Sequence, residues 1–247
     1  MREWALDLHI HTLLSPCADD SMIPSVVLEY AKELGIDALA ITDHNTSENV
    51  ASFMEKGKEL GVKIIPGMEL QTQEDVHIIC LFDTLRQTNL WQEIVYKKLP
   101  PLKNSKEYFG EQWIVNKDDE LVRELDKLLL VGTSFTIEDA VEAVHELKGI
   151  CIAAHVDKQA FSLWGHLGYI PPGLFLDGVE FTPFLPRNVK QLEQIKNEGY
   201  NYIVSSDAHH WDGIQAPQCY GYMEEINIEE IKKALRNEEG RYIRTLR

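Results

Sequence analysis

A chain of 247 residues with 44% hydrophobic composition can bury a full core, which fits one barrel-sized domain as well as two small ones, and a single domain over residues 1–247 is the expectation. Its 24 Lys and Arg against 40 Asp and Glu leave a net charge of −16, which argues against broad attraction to nucleic acid or anionic lipid. The start Met1-Arg2-Glu3-Trp4 has no apolar leader, and no apolar run approaches the roughly 18 residues of a membrane span, so a soluble, cytoplasmic protein is expected.

The first strand-like run, Ala5 to Ile10, leads into His11. Ser25 to Leu34 then shows helical spacing of Val26, Val27, Tyr30, Ala31 and Leu34, with Gly35 as the stop. Ala38 to Thr42 is the second strand, Val50 to Leu60 the second helix, Lys63 to Met68 the third strand and Val76 to Phe82 the fourth. From Thr84 to Phe135 the rhythm breaks around Leu99-Pro100-Pro101 and a charged run, which predicts an insertion over residues 84–135 that covers one barrel face without core residues of its own. A helix capped by Thr136, strands at Ile150 to Ala154, Gly178 to Phe181 and Tyr202 to Ser206, a helix at Val189 to Glu198 and a closing helix at Ile228 to Leu235 complete the series. Strands alternating with helices predict an α/β fold with a largely parallel sheet. The tail Arg241 to Arg247 reads as a solvated end, the four scattered cysteines read as buried thiols, and the aromatic stretch Phe161 to Tyr169 reads as core packing more than as a pocket lining.

Residues able to bind metal cluster at the strand ends. His9 and His11 share one side of the first strand because side chains there repeat every two residues. The second run delivers Asp43-His44-Asn45, the third Glu69, and the last Asp207-Ala208-His209, at the positions where α/β folds place ligands. His155 ends the run Ile150 to Ala154, and His77 opens the fourth strand. Six of the nine histidines fall at such positions, leaving His145, His166 and His210 elsewhere, so a metal site is expected.

The order and spacing of Asp7-Leu8-His9-Ile10-His11, Thr42-Asp43-His44, Gly67-Met68-Glu69 and Ser206-Asp207-Ala208-His209 resemble the polymerase and histidinol phosphatase (PHP) phosphoesterases over nearly the whole chain. The resemblance implies a distorted (β/α)7 TIM-like barrel in one domain, with two to three divalent ions (Zn, Mn or Fe) and hydrolysis of phosphate esters. It implies His9, His11, Glu69 and Asp207 as ligands of a first ion, Asp19, His44 and His209 of a second, and Glu69, His77 and His155 of a third. His9, His11, Glu69, Asp207 and His209 would form the reacting centre. The family's acidic ligand usually lies in Ser-Asp-Gly, whereas this chain reads Ser15-Pro16-Cys17-Ala18-Asp19-Asp20, and counting back from Pro24 favours Asp19 over Asp20.

The expected substrate is a small phosphate ester, either a phosphomonoester or a nucleotide-type phosphodiester, attacked in line by water that the ions acidify. Lys158, Arg187 and His210 are the candidate substrate-binding groups. Two alternatives stand beside this reading: a metal-dependent amidohydrolase, which also opens with His-x-His, and a non-catalytic metal-binding module. The acidic balance makes nucleic acid an unexpected partner, no membrane partner is expected, and the oligomeric state is open.

Overall fold

The computed structural model describes residues 1–171, 173–183, 189–197 and 199–246. The first half runs β1 (Arg2–Ile10), α1 (Pro24–Glu33), β2 (Ala38–Ile41), α2 (Val50–Leu60), β3 (Lys63–Gln71), β4 (His77–Leu81) and α3 (Leu85–Lys98). A short α4 (Lys106–Phe109) and the hairpin β5 (Trp113–Val115) and β6 (Leu121–Glu124) follow. The second half holds α5 (Ile137–Glu146), β7 (Ile150–Ala153), α6 (Leu163–His166), β8 (Gly178–Phe181), α7 (Val189–Asn197) and β9 (Tyr202–Val204). It ends with β10 (Cys219–Met223), α8 (Ile228–Leu235) and β11 (Tyr242–Thr245). All seven expected strands are present. Among the described residues no helix is long and apolar enough to cross a membrane.

Among the described residues, nine strands form one sheet in the order β11-β10-β1-β2-β3-β4-β7-β8-β9. The sheet curls into a nearly closed barrel: Ile10 bridges in parallel to Ala208, just beyond β9, and the His11 amide donates to the Ala208 carbonyl at 3.1 Å. β1, β2 and β3 are mutually parallel, as are β7, β8 and β9.

The expected parallel rhythm fails at β4, which is antiparallel to both β3 and β7. The residues between β3 and β4 close a tight turn, in which the Thr72 amide donates to the Val76 carbonyl at 2.9 Å; a parallel crossover needs a dozen or more residues. The reversal brings the start of β4 to the edge where β3 ends, with His77 paired to Gln71. Gln71 and Glu69, two residues apart on β3, share a face, so His77 joins that of Glu69.

Two further expectations are corrected. Within residues 84–135, α3 is part of the main core: Trp91 and Val95 are fully buried, with the Trp91 ring 5.4 Å from Phe135 and 6.4 Å from Phe82. Thr84 and Gln87 close a capping box at its start. The rest of the insertion has a small cluster of Leu14, Ile114, Leu125 and Leu129. The basic tail is likewise paired, because β11 lies antiparallel on β10 and the Arg244 guanidinium grips Glu3 with bonds of 2.6 and 2.9 Å. α1 and α2 cover β1 and β2 through Val27, Leu28, Phe53 and Ile41, while Leu8, Ala40, Ile79 and Ile152 pack together in a separate cluster.

Candidate metal centre

Glu69, two residues before the end of β3, is the hub of a buried cluster. Its Oε1 lies 3.2 Å from His9 Nε2, 2.9 Å from His77 Nδ1 and 3.1 Å from His155 Nε2, while Oε2 lies 3.3 Å from His11 Nε2 and 2.9 Å from His44 Nδ1. Asp207 adds Oδ1 at 3.3 Å from His9 Nε2 and 3.2 Å from His11 Nε2. The His209 ring stacks on His11 with centroids 4.1 Å apart. Asp207 (φ 50) and His155 (φ 27) both lie in the left-handed region, a strain that persists only where the surroundings enforce it.

Groups behind the cluster fix its orientation. Glu180 on β8 is buried; its Oε2 faces His9 Nδ1 at 2.9 Å and accepts the His155 amide at 2.9 Å, so one carboxylate steadies a side chain of one strand and the strained backbone after another. His11 Nδ1 sits 3.1 Å from Ser15 Oγ, and that hydroxyl donates to Asp43 at 2.7 Å. Asp43 also accepts from the Thr12 amide and hydroxyl, both at 2.7 Å, so it organises the loop after β1 while its neighbour His44 faces the centre. Asp7 accepts the Ser206 amide at 3.1 Å and ties β1 to the loop bearing Asp207. Such outer partners set imidazole orientation and basicity.

Burial lowers the His44 imidazole to about 4 against the pull of Glu69, and burial with the neighbouring His11 lowers His209 to about 3, so both are neutral near pH 7 and present lone pairs. Burial alone would push the Glu69 carboxyl up, but the imidazoles of His77, His9 and His44 hold it well below the usual carboxylate range. Asp7, buried, is raised to about 6.

The donor set fits divalent cations. His44 Nδ1, His77 Nδ1 and Glu69 Oε2 are buried with no partner in hydrogen-bonding geometry, although nitrogens and oxygens face one another at 2.9 Å. A buried polar atom left unpaired costs about 1–3 kcal/mol. Converging lone pairs of this kind are relieved by a shared cation. Among the described residues, three groups bring their ligand atoms within 4.8 Å of one another: His11, His44 and His209; His9, His11 and Glu69; and His44, Glu69 and His77. Nitrogen and carboxylate donors suit Zn, Mn or Fe.

The structure thus gathers His9, His11, His44, Glu69, His77, His155, Asp207 and His209. It does not bring in the Asp19 carboxylate, which accepts from the Ser21 amide at 2.9 Å and from the Ser21 hydroxyl, although the Asp19 amide donates to the His209 carbonyl at 2.8 Å. Lys158 lines the cleft with its ammonium on Asp207; His210 is exposed, 3.8 Å from Asp19; Arg187 lies outside the described residues. The cleft, of about 370 Å³, is also lined by Cys17 and Phe161. Both depart from expectation. Cys17 is exposed rather than buried, unlike Cys80, Cys151 and Cys219, and Phe161 stands at the mouth rather than in the core. Glu180 escaped the sequence reading; its one signal is an acid inside the apolar run Gly178 to Phe181.

Two relatives and one solved structure illustrate what the chain is similar to. Phosphoribosyl 1,2-cyclic phosphate 1,2-diphosphodiesterase of Eggerthella lenta is 35% identical over 80 residues, 30% of this chain and 29% of the relative. The 5'-3' exoribonuclease Rnm of Escherichia coli is 35% identical over 80 residues, 30% of this chain and 26% of the relative. Among solved structures, the lesion-specific endonuclease PfuEndoQ from Pyrococcus furiosus shares the fold with a TM-score of 0.71 at 20% identity, covering 98% of this chain and 57% of that one. The chain spans less than a third of the length of these two curated relatives. A sequence model of the PHP domain matches residues 7–238, which include every residue gathered at Glu69, and the chain belongs to the PHP domain family.

Proposed function

We propose that this protein hydrolyses a phosphate ester, either a phosphomonoester or a nucleotide-type phosphodiester, with two to three divalent ions (Zn, Mn or Fe) at the barrel mouth. The relatives are hydrolases of phosphodiesters by name, which supports the class. The observation that carries the reading is Glu69, whose two oxygens face five imidazoles and can serve more than one cation at once. When bound, the ions supply Lewis acidity at phosphoryl oxygens and acidify water.

In this reading His9, His11, Glu69 and Asp207 hold one ion, His44 and His209 with Asp19 a second, and Glu69, His77 and His155 a third. Asp19 joins by turning from Ser21 toward His209, whose carbonyl its amide already holds. Lys158, half-exposed, offers an ammonium to a phosphate oxygen, and His210 stands at the rim to protonate a leaving group. Arg187 remains a candidate for the same phosphate. The substrate range includes nucleic acid, contrary to what net charge suggests. One relative is an exoribonuclease, and cations, when bound, would reverse the local sign of charge at the mouth.

The test is metal analysis of the purified protein coupled to hydrolysis panels of phosphomonoesters, dinucleotides, and amides or lactams, with and without chelator. Chelator-sensitive cleavage of a phosphate ester is expected. Hydrolysis confined to amides or lactams, or metal-loaded protein inert on every ester, overturns the proposal.

A further inference from the structure

Phe161 is a large apolar side chain in an unfavourable place: 41% exposed, at the rim of the cleft, with a left-handed backbone at φ +57. Burial does not account for it, and a non-glycine residue adopts this conformation only under constraint. The constraint is visible on both sides. The Phe161 amide donates to His166 Nε2 at 3.1 Å, and its carbonyl accepts from the His77 amide at 2.9 Å. Ser162 closes the loop by donating to the Lys158 carbonyl at 2.6 Å and accepting the Gly165 amide at 2.9 Å. A Cβ on Gly165 would meet the Gln159 carbonyl oxygen at 1.9 Å, so the closure requires glycine there.

The result is a short aromatic row leading away from the centre. The His77 and Phe161 rings stack with centroids 4.7 Å apart and planes 12° from parallel, and His166 continues at 6.3 Å and 20°. We infer that Phe161 is a stacking platform for a planar ring carried by the substrate next to its scissile phosphate, which makes ring-bearing phosphodiesters the preferred class. This rests on the phosphoesterase reading above. Base–aromatic stacking tolerates any base because every base has a π-face, so the platform selects for a ring without reading sequence.

The test compares a dinucleoside monophosphate with the same diester carrying an abasic tetrahydrofuran in place of one nucleoside, on the wild type, Phe161→Leu and Phe161→Trp. The wild type should prefer the ring-bearing diester on the order of tenfold or more in kcat/KM. Phe161→Leu should lose that preference while keeping abasic turnover, and Phe161→Trp should restore it. Equal loss on both substrates, as a mere shield over His77 would give, overturns the inference, as does a wild type without preference. A readout independent of turnover is titration of the protein with a 2-aminopurine dinucleotide. Fluorescence quenching that disappears in Phe161→Leu and returns in Phe161→Trp supports the platform even if no ester is cleaved. Absence of quenching in the wild type refutes it, whatever the fate of the phosphoesterase reading.

Discussion

His9 Nδ1 lies 2.9 Å from Glu180 Oε2, so the first histidine's other nitrogen is aimed at the centre by a carboxylate that β8 supplies across the seam where the barrel closes. The same oxygen holds the His155 amide, which couples two of the gathered histidines through one side chain. Glu180→Gln keeps the volume but lowers the basicity of His9 and weakens the hold on His155. Metal affinity should fall about 10- to 100-fold, the usual effect of losing such a partner. Calorimetric titration of the stripped protein, with circular dichroism to establish the fold, gives the answer; unchanged affinity would refute the role.

Glu69→Gln should be more severe. The amide has one acceptor oxygen in place of two and no charge, while five imidazoles still converge on it. Bound metal per chain, measured by mass spectrometry after dialysis, should drop by at least one equivalent, and ester hydrolysis by at least about a hundredfold. Full metal content in this variant would remove Glu69 from its central position.

Asp177 predicts how stability depends on pH. Burial pushes its carboxyl up, but His145 at 2.7 Å, the Cys151 amide at 3.0 Å and nearby Lys232 outweigh burial and hold it below its ordinary value. A depressed carboxyl contributes stability that is present above the unfolded value near 4 and lost as pH falls through the folded one. Asp177→Asn should therefore cost about 1–3 kcal/mol at pH 7 and progressively less below pH 4 or so. Urea midpoints at pH 7, 4 and 3 decide it, and a gap that stays constant contradicts the assignment.

Trp91→Ala should destabilise the fold by about 3–5 kcal/mol, because a fully buried indole between Phe82 and Phe135 is replaced by a cavity. A change below 1 kcal/mol in denaturant unfolding would mean that α3 is a surface cover after all.

What could be read from the sequence follows from short-range periodicity. His9 and His11 announce themselves because a strand repeats every two residues, and Glu69 and Asp207 because they follow apolar runs. Glu180 is invisible at that level, since its partners lie 171 and 25 residues away and a lone acid in a four-residue strand has no pattern. Phe161 sits in an aromatic stretch whose exposure arises from loop closure, not from hydropathy. β11 is four residues long and carries a charge, and only its pairing with β10 makes it a strand. The reversal at β4 could have been anticipated, because the link from β3 is too short to hold a crossover helix.

That reversal also frees a part of the chain. β4 and β7 are antiparallel neighbours, and a two-residue turn would join them, yet residues 82–149 intervene. This excursion leaves from and returns to the barrel end opposite the histidines, while Leu130 reaches the cleft and Asn45 clasps the Leu129 and Val131 carbonyls at 2.8 and 3.0 Å. Its length and outer sequence can therefore drift without shifting the register that aligns the histidines. Under the proposed function, changes in this excursion would alter what the cleft admits while leaving the groups gathered at Glu69 in place.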